Sequence, residues 1–230
     1  MKTEIKKQYK VIDTVQETPT VKTLKFVVDG GNPSFIPGQF INIYFPEFGN
    51  EEGKSYSISS SPDEKNISIT VRKIGNFSGK LSNLKVNDIV TASLPYGYFF
   101  TENDDRPLIM IAGGIGIAPF RSMVINFLNK NSKREINLIY SNKSSDEIIF
   151  KSEFDDLSKK FNKFSVKYFL TRQKSDKKQI ISCRINVSDI KISNDYDYLI
   201  CGSISFVKDF WKMLKNSGID EINIYTESFF

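Results

Sequence analysis

Gly113, Gly114 and Gly116 separate the apolar run "LIMIA" (108–112) from a stretch of helical periodicity that opens near Ile117. Glycines at such a junction permit positive φ and close backbone approach. The free N–H groups and the dipole of about half a charge at a helix start attract phosphate. Pro119 stands where a Rossmann fingerprint would place its last glycine. Proline suits a first helical turn, where its missing N–H has no partner to lose. The stretch therefore reads as a phosphate-binding loop of another pattern, or as a plain glycine turn.

Two upstream stretches carry compatible chemistry. "GKSYSISSSP" (53–62) sets a cation, an aromatic ring and hydroxyls along a strand; alternation puts Lys54 and Tyr56 on one side, Ser55 and Ser57 on the other, while a twist at the strand end would let several reach one ligand. "GNFSGKL" (75–81) has the composition of an anion nest: Gly75 frees a turn, and Ser78 is placed to cap a short helix over 78–84. Alone, these are a serine-rich strand and a helix cap. Together, two phosphate-suited helix starts with an aromatic between them point to a flavin dinucleotide meeting a nicotinamide dinucleotide.

Composition removes most other chemistry. The 230 residues include no histidine, which excludes a Ser–His triad, an HExxH zinc site and an imidazole base. With two cysteines, Cys183 and Cys201, the chain cannot ligate a four-cysteine iron–sulfur cluster by itself. Redox work here requires an organic cofactor. The cysteines form no CxxC pattern, so reduced thiols are expected; the first residues lack the apolar core of a signal peptide, and the cytoplasm is the expected compartment. The net charge of +5 comes mainly from scattered lysine. It fits a lysine-rich background or a basic face that speeds encounter with an acidic partner. No dense basic run interleaved with aromatics points to nucleic acid.

The elements that must position these motifs fall into two halves. Up to residue 101, short β-branched and aromatic segments ("YKVIDTV", "VKTLKFVVD", "QFINIYF", "KSYSISS", "NISITVRKI", "DIVTASL") predict six antiparallel strands in a sandwich or barrel. From 102 to 230, buried runs alternate with helical periods near 117–130, 150–161 and 205–217, which predicts a doubly wound parallel α/β domain. Ligands in such sheets lie at the carboxyl ends of the strands, near the switch in strand order. "GGIGIAP" and "CGSIS" both fall at strand ends, so one shared site is expected.

The motifs, in order along nearly the whole chain, resemble the ferredoxin–NADP reductase superfamily: "FIPGQFINI" (35–43), "KSYSISSSP" (54–62), "GNFSGKLSNLKVNDIV" (75–90), "PYGYF" (95–99), "AGGIGIAPF" (112–120), "LICGS" (199–203) and "TESFF" (226–230). The resemblance implies a flavin-binding Greek-key β-barrel over 1–101 and a nicotinamide-binding α/β domain over 102–230. It implies FAD, with FMN as the alternative flavin, and NADPH or NADH as co-substrate. Lys54, Ser55, Tyr56 and Ser57 match the family's R-x-Y-S motif, with Tyr56 packing on the isoalloxazine, Ser57 near flavin N5 and Lys54, where arginine is usual, at the flavin phosphate. Backbone around Val71 and Arg72 would border the flavin chain, and Asn76, Phe77 and Ser78 would cradle its pyrophosphate.

On the nicotinamide side the resemblance assigns Gly113, Gly114, Gly116 and Pro119 to the dinucleotide pyrophosphate, and Cys201 and Gly202 to the pocket beside the nicotinamide. Thr171 and Arg172 would meet a 2′-phosphate, assisted by Lys177 and Lys178, which favours NADPH. Ser57, Cys201 and Glu227 are the expected residues at the hydride-transfer centre, acting as positioning groups. Phe229 takes the place of a terminal tyrosine over the flavin, and Phe230 extends the chain by one residue. The implied activity is hydride transfer between NAD(P)H and FAD, with electrons leaving to a separate acidic carrier such as ferredoxin or flavodoxin. The alternatives are a reductase component of an oxygenase, a flavin or ferric reductase, and a flavin-binding electron-transfer or regulatory subunit.

Overall fold

The computed structural model describes residues 5–49, 53–101, 105–130, 132–176 and 180–229. Alternating apolar residues build the first half into six antiparallel strands: β1 (Lys6–Thr18), β2 (Val21–Val28), β3 (Phe40–Tyr44), β4 (Lys54–Ser57), β5 (Ile67–Arg72) and β6 (Ile89–Ser93), with helix α1 (Asn76–Ser82) after β5. Their order is β4-β3-β6-β1-β2-β5. An antiparallel bridge between Ile58 and Ile69 joins the two outer strands and closes the sheet into a barrel. Inward residues such as Tyr9, Leu24, Ile41, Ile69 and Val90 fill it. The outward face of β5 is also buried, under the second domain, and carries hydroxyls: Thr23, Thr70, Ser59 and Ser68 hydrogen-bond in a chain with O–O distances of 2.9, 2.9 and 3.0 Å.

The second half alternates β7 (Leu108–Gly113), α2 (Ile117–Asn129), β8 (Ile136–Asn142), α3 (Lys151–Lys160), β9 (Phe164–Leu170), β10 (Ile180–Ile181), β11 (Asp197–Ser203), α4 (Ile204–Asn216) and β12 (Ile224–Phe229). All are parallel, in the order β10-β9-β8-β7-β11-β12, so the strand order reverses between β7 and β11. Leu108, Met110 and Ala112 pack toward α2 and α3, whereas Ile109 and Ile111 pack toward α4. That alternation explains why β7 reads as a continuous apolar run. The sequence reading missed β10, which has two residues and too little pattern to register.

The two domains meet through apolar contacts, where Val21 and Phe99 join the core around Phe120 and Met123, and through polar ones. Arg121 on α2 reaches Glu64 of the barrel (Nη1–Oε2 3.0 Å), the Ser59 carbonyl (2.8 Å) and Glu153 on α3 (Nε–Oε2 2.7 Å), while Ser122 donates to the Ser60 carbonyl at 2.6 Å. Gly38, at φ +99°, lets the barrel approach closely, because a Cβ there would stand 1.8 Å from the Phe99 carbonyl and 2.7 Å from Met123. The expected boundary at 101/102 falls in the connector between β6 and β7, where residues 102–104 lie outside the described ones.

Candidate functional site

A cleft of about 690 Å³ opens between the domains, at the carboxyl ends of β7 and β12 and beside β4 and the start of α1. On the barrel side, Tyr56 lies nearly parallel to Phe77, with ring centroids 6.4 Å apart and 15° between planes; the Lys54 ammonium stands 5.1 Å from the Phe77 centroid. The expected strand alternation thus holds, because Lys54 and Tyr56 share the Phe77 side while Ser55 turns away to donate to Asn42 Oδ1 at 2.7 Å. Burial pushes the Tyr56 phenol up to about 12, so the ring stays neutral. Ser57 borders the cleft, and its hydroxyl has no hydrogen-bond partner among the described residues.

Helix α1 starts two residues earlier than the expected 78–84, at Asn76 with Gly75 as its N-cap. Ser78 is therefore the third helical residue rather than the cap. Its hydroxyl accepts from the Ile74 and Gly75 N–H groups at 3.0 and 3.1 Å, which tightens the turn. Asn76, Phe77 and Ser78 all line the cleft.

The glycine loop divides its work. Gly114, at φ +55°, faces the Arg72 guanidinium: a Cβ there would lie 3.3 Å from Arg72 Nη1. Gly116 instead serves packing, since a Cβ on it would meet the Cys201 carbonyl at 2.3 Å. Gly113 and Gly202 make room for the Phe206 ring, at 3.0 and 2.8 Å from their would-be Cβ atoms. A single 3₁₀ turn over Gly114–Gly116 precedes α2, which places Pro119 in the first α-helical turn, fully covered.

Of the expected site residues, the cleft gathers Lys54, Ser55, Tyr56, Ser57, Arg72, Asn76, Phe77, Ser78, Glu227 and Phe229. Val71 lies in the barrel core, and Gly116, Pro119, Cys201 and Gly202 are buried behind the cleft wall. Cys201 pairs in register with Ala112 and Glu227; burial and the Glu227 charge push its thiol well above the ordinary range, which keeps it protonated. Loss of water likewise raises the Glu227 carboxyl, which has no hydrogen bond or ion pair among the described residues. Thr171 and Arg172 follow β9 on the same edge of the sheet, exposed and apart from the cleft; their N–H groups bond the Asn142 and Lys143 carbonyls at 3.0 Å. Lys177, Lys178 and Phe230 lie outside the described residues.

Sequence reading considered only the backbone at Arg72, and missed its side chain. Nε and Nη2 are buried without a hydrogen-bond partner, and the closest carboxylate, Glu147, is 3.9 Å from Nη2. Phe206 was also missed, for it looks like an ordinary helix residue until Gly113 and Gly202 are seen beneath it. A partly exposed guanidinium with two buried nitrogens lacking hydrogen bonds, facing a glycine turn, suits an anion. With the Tyr56–Phe77 stack, the hydroxyls of β4 and the free first turn of α1, the donor set fits a flat aromatic ring with a phosphate tail. Among the described residues no cluster of metal-ligating side chains occurs, and no helix is long and apolar enough to cross a membrane.

Comparison with known proteins decides the family. Residues 8–100 match the family model of an oxidoreductase FAD-binding domain, and residues 110–212 that of an oxidoreductase NAD-binding domain. The chain belongs to the ferredoxin–NADP reductase-like superfamily. It is thus a member of a family of FAD- and NAD(P)-binding oxidoreductases. It is 30% identical over 204 residues to the 2-halobenzoate 1,2-dioxygenase electron transfer component of Burkholderia cepacia, a match covering 85% of this chain and 59% of that protein. Its fold matches the flavohem-like FAD/NAD-binding domain of a nitric oxide dioxygenase from Vibrio cholerae (TM-score 0.86, 23% identity, 97% of this chain and 98% of that one). It likewise matches a ferredoxin NADP+ reductase from Neisseria gonorrhoeae with bound FAD and NADP (TM-score 0.82, 21% identity, 98% and 99%). The chain spans less than two thirds of the length of the curated relatives that it first matches, at 59%, 59% and 55%.

Proposed function

We propose that this protein is an NAD(P)H-dependent reductase that takes hydride from a nicotinamide dinucleotide and hands electrons singly to a separate protein. The observation that carries this reading is the single cleft walled by Tyr56 and Phe77 of the barrel and by Ile115, Glu227 and Phe229 of the α/β domain. FAD supplies the chemistry of accepting a hydride and releasing electrons one at a time. The chain's own residues bind and orient. Lys54 and the first turn of α1 hold the flavin phosphates, Tyr56 fixes one face of the ring, and Ser57 offers a hydroxyl at its edge. Arg72 and Gly114 take the nicotinamide dinucleotide phosphates. Glu227 and Phe229 close the cleft against water, and Cys201 acts from behind by shaping the strand beside Glu227. Proximity of the two rings then does most of the work.

The basic surface supports an acidic carrier such as ferredoxin or flavodoxin as the acceptor, in the cytoplasm. Arg172 and Thr171, at the end of β9, support NADPH over NADH. A second reading, the reductase component of an oxygenase, is favoured by the similarity to a dioxygenase electron transfer component. Anaerobic titration of the FAD-loaded protein with NADPH and NADH, followed by addition of ferredoxin, flavodoxin or an oxygenase partner, tests the reading. Bleaching by NADPH and reoxidation by ferredoxin or flavodoxin are expected. A flavin that neither nucleotide reduces would overturn it and leave a regulatory subunit, whereas reoxidation by the oxygenase partner alone would select the second reading.

A further inference from the structure

Tyr140 stands on β8, fully buried on the face of the sheet that packs toward α2 and α3. Its neighbour on that face is Leu138, so an apolar side chain serves the core equally well there. A buried tyrosine hydroxyl normally finds partners, and this one has two, both in loops rather than in the core. The hydroxyl donates to the Gly114 carbonyl at 2.9 Å and accepts from the Ile149 N–H at 3.4 Å. Burial pushes the phenol far above its ordinary range, so it keeps the proton that it donates.

Both loops lead to Arg72. Gly114 opens the 3₁₀ turn before α2, at φ +55°, and faces the Arg72 guanidinium; Ile115, the next residue, lines the cleft. Ile149 follows the turn Ser145–Glu147, whose last carboxylate stands 3.9 Å from Arg72 Nη2. Tyr140 thus ties together, from behind, the two segments that face Arg72. The tie also has a direction. The Gly114 carbonyl takes two donors, the Tyr140 hydroxyl and the Ile117 N–H, which matches its two lone pairs. The peptide joining Gly114 to Ile115 is trans, so its N–H points opposite to that carbonyl, away from Tyr140. Glycine leaves such a peptide free to rotate, and the hydroxyl removes that freedom.

We propose that Tyr140 is a positioning residue for the dinucleotide pyrophosphate, holding the Gly114 peptide and the Glu147 loop in the arrangement in which the glycine turn and Arg72 receive one anion together. The inference rests on the reading of the cleft as a nicotinamide dinucleotide site, and adds to it a residue outside the cleft lining. The test is Tyr140→Phe, which keeps the ring in the core and leaves the Ile117 N–H on the Gly114 carbonyl. Two measurements on FAD-loaded protein separate the roles: calorimetric titration with NADP+ and NAD+, and the second-order rate of flavin reduction by dihydronicotinamide riboside, which carries no phosphate. Dinucleotide affinity should fall about fivefold or more, the factor that one restraining hydrogen bond is worth, while the riboside rate stays within about twofold of the parent and the flavin spectrum is unchanged. Dinucleotide affinity equal to that of the parent overturns the proposal. So does a riboside rate that falls in step with affinity, because general loosening of the core moves both. A parent protein that binds neither dinucleotide overturns the reading of the cleft itself and this inference with it, a failure distinct from that of an unaffected variant.

Discussion

Replacing Arg72 with methionine separates a binding role from a structural one, because the two predict opposite signs. The guanidinium buries Nε and Nη2 without hydrogen bonds, and each unsatisfied group costs about 1–3 kcal/mol. Its ion pair with Glu147, at 3.9 Å and with the carboxylate 29% exposed, returns only about 0–1 kcal/mol. Methionine keeps the apolar stem and removes the orphaned donors, so the protein without dinucleotide should melt at the same temperature or a few degrees higher. With a phosphate in place, a charge-assisted hydrogen bond contributes about 1.5–3 kcal/mol, so losing it should weaken binding by about 10- to 150-fold. Differential scanning calorimetry of the unliganded protein and titration of NADP+ into the FAD-loaded protein measure both sides. A melting temperature that falls by more than about 5 °C, with affinities for NADP+ and FAD both intact, would refute the reasoning and make Arg72 a structural bridge to Glu147.

Other perturbations probe the domain junction and the back wall of the cleft. Arg121→Met strands Glu64 and Glu153; breaking a buried pair costs about 3–5 kcal/mol, and partial exposure of these carboxylates (35% and 34%) reduces that to roughly 2 kcal/mol, or about 4–8 °C in Tm for a chain of this size. A calorimetric change below 1 °C would show the ion pairs to be dispensable. Glu227 holds its proton more tightly folded than unfolded, so its contribution is present below the ordinary carboxylate value of 4.5 and lost as pH rises through the raised value. Glu227→Gln should therefore gain in Tm relative to the parent between pH 4 and pH 7, and a difference flat with pH would contradict this. Ellman's reagent should find one reactive thiol in the native protein, the exposed Cys183, and two after unfolding in guanidinium; rapid release of two would place Cys201 within reach of the cleft.

The architecture was legible because its two halves differ in period. Alternation in "NISITVRKI" and the runs of "LIMIA" and "YDYLICG" gave strands within a residue or two of β5, β7 and β11. What stayed hidden depends on contacts distant in sequence. Gly113, Gly116 and Gly202 look alike as small residues near a phosphate loop, but a Cβ would strike Phe206 at the first and third and the Cys201 carbonyl at the second. Arg72 ends a strand like any cation, and only its position opposite Gly114 gives it a task. Cys201 belongs to a motif that points to the nicotinamide; its thiol packs on the α2 side of the sheet, the same face as its register partner Glu227, but lies fully buried beneath the residues that line the cleft. Local pattern fixes which face a residue takes; it says nothing about what the other domain puts opposite that face.

Beside the apolar contacts of Val21 and Phe99, the junction carries directed polar ones that suit the chemistry. A cleft that must admit a dinucleotide between two domains needs them held in register without a dry, self-sealing apolar seam across its mouth. Arg121 meets that need with a fork: one guanidinium nitrogen binds Glu64 and the Ser59 carbonyl of the barrel, and others bind Glu153 of α3. Ser122, the next residue, adds a bond to the Ser60 carbonyl at 2.6 Å. These acceptors follow immediately after β4, the strand that carries Lys54 to Ser57, and the donors sit on the helix that the glycine loop opens. The same two segments that present cofactor contacts at one end are therefore pinned to each other a few residues further on. Hydrogen-bond direction fixes orientation more tightly than apolar contact does, and hydride transfer depends on orientation to within fractions of an ångström. Weakening this junction should accordingly lower the rate of flavin reduction at saturating nucleotide more than it lowers nucleotide affinity.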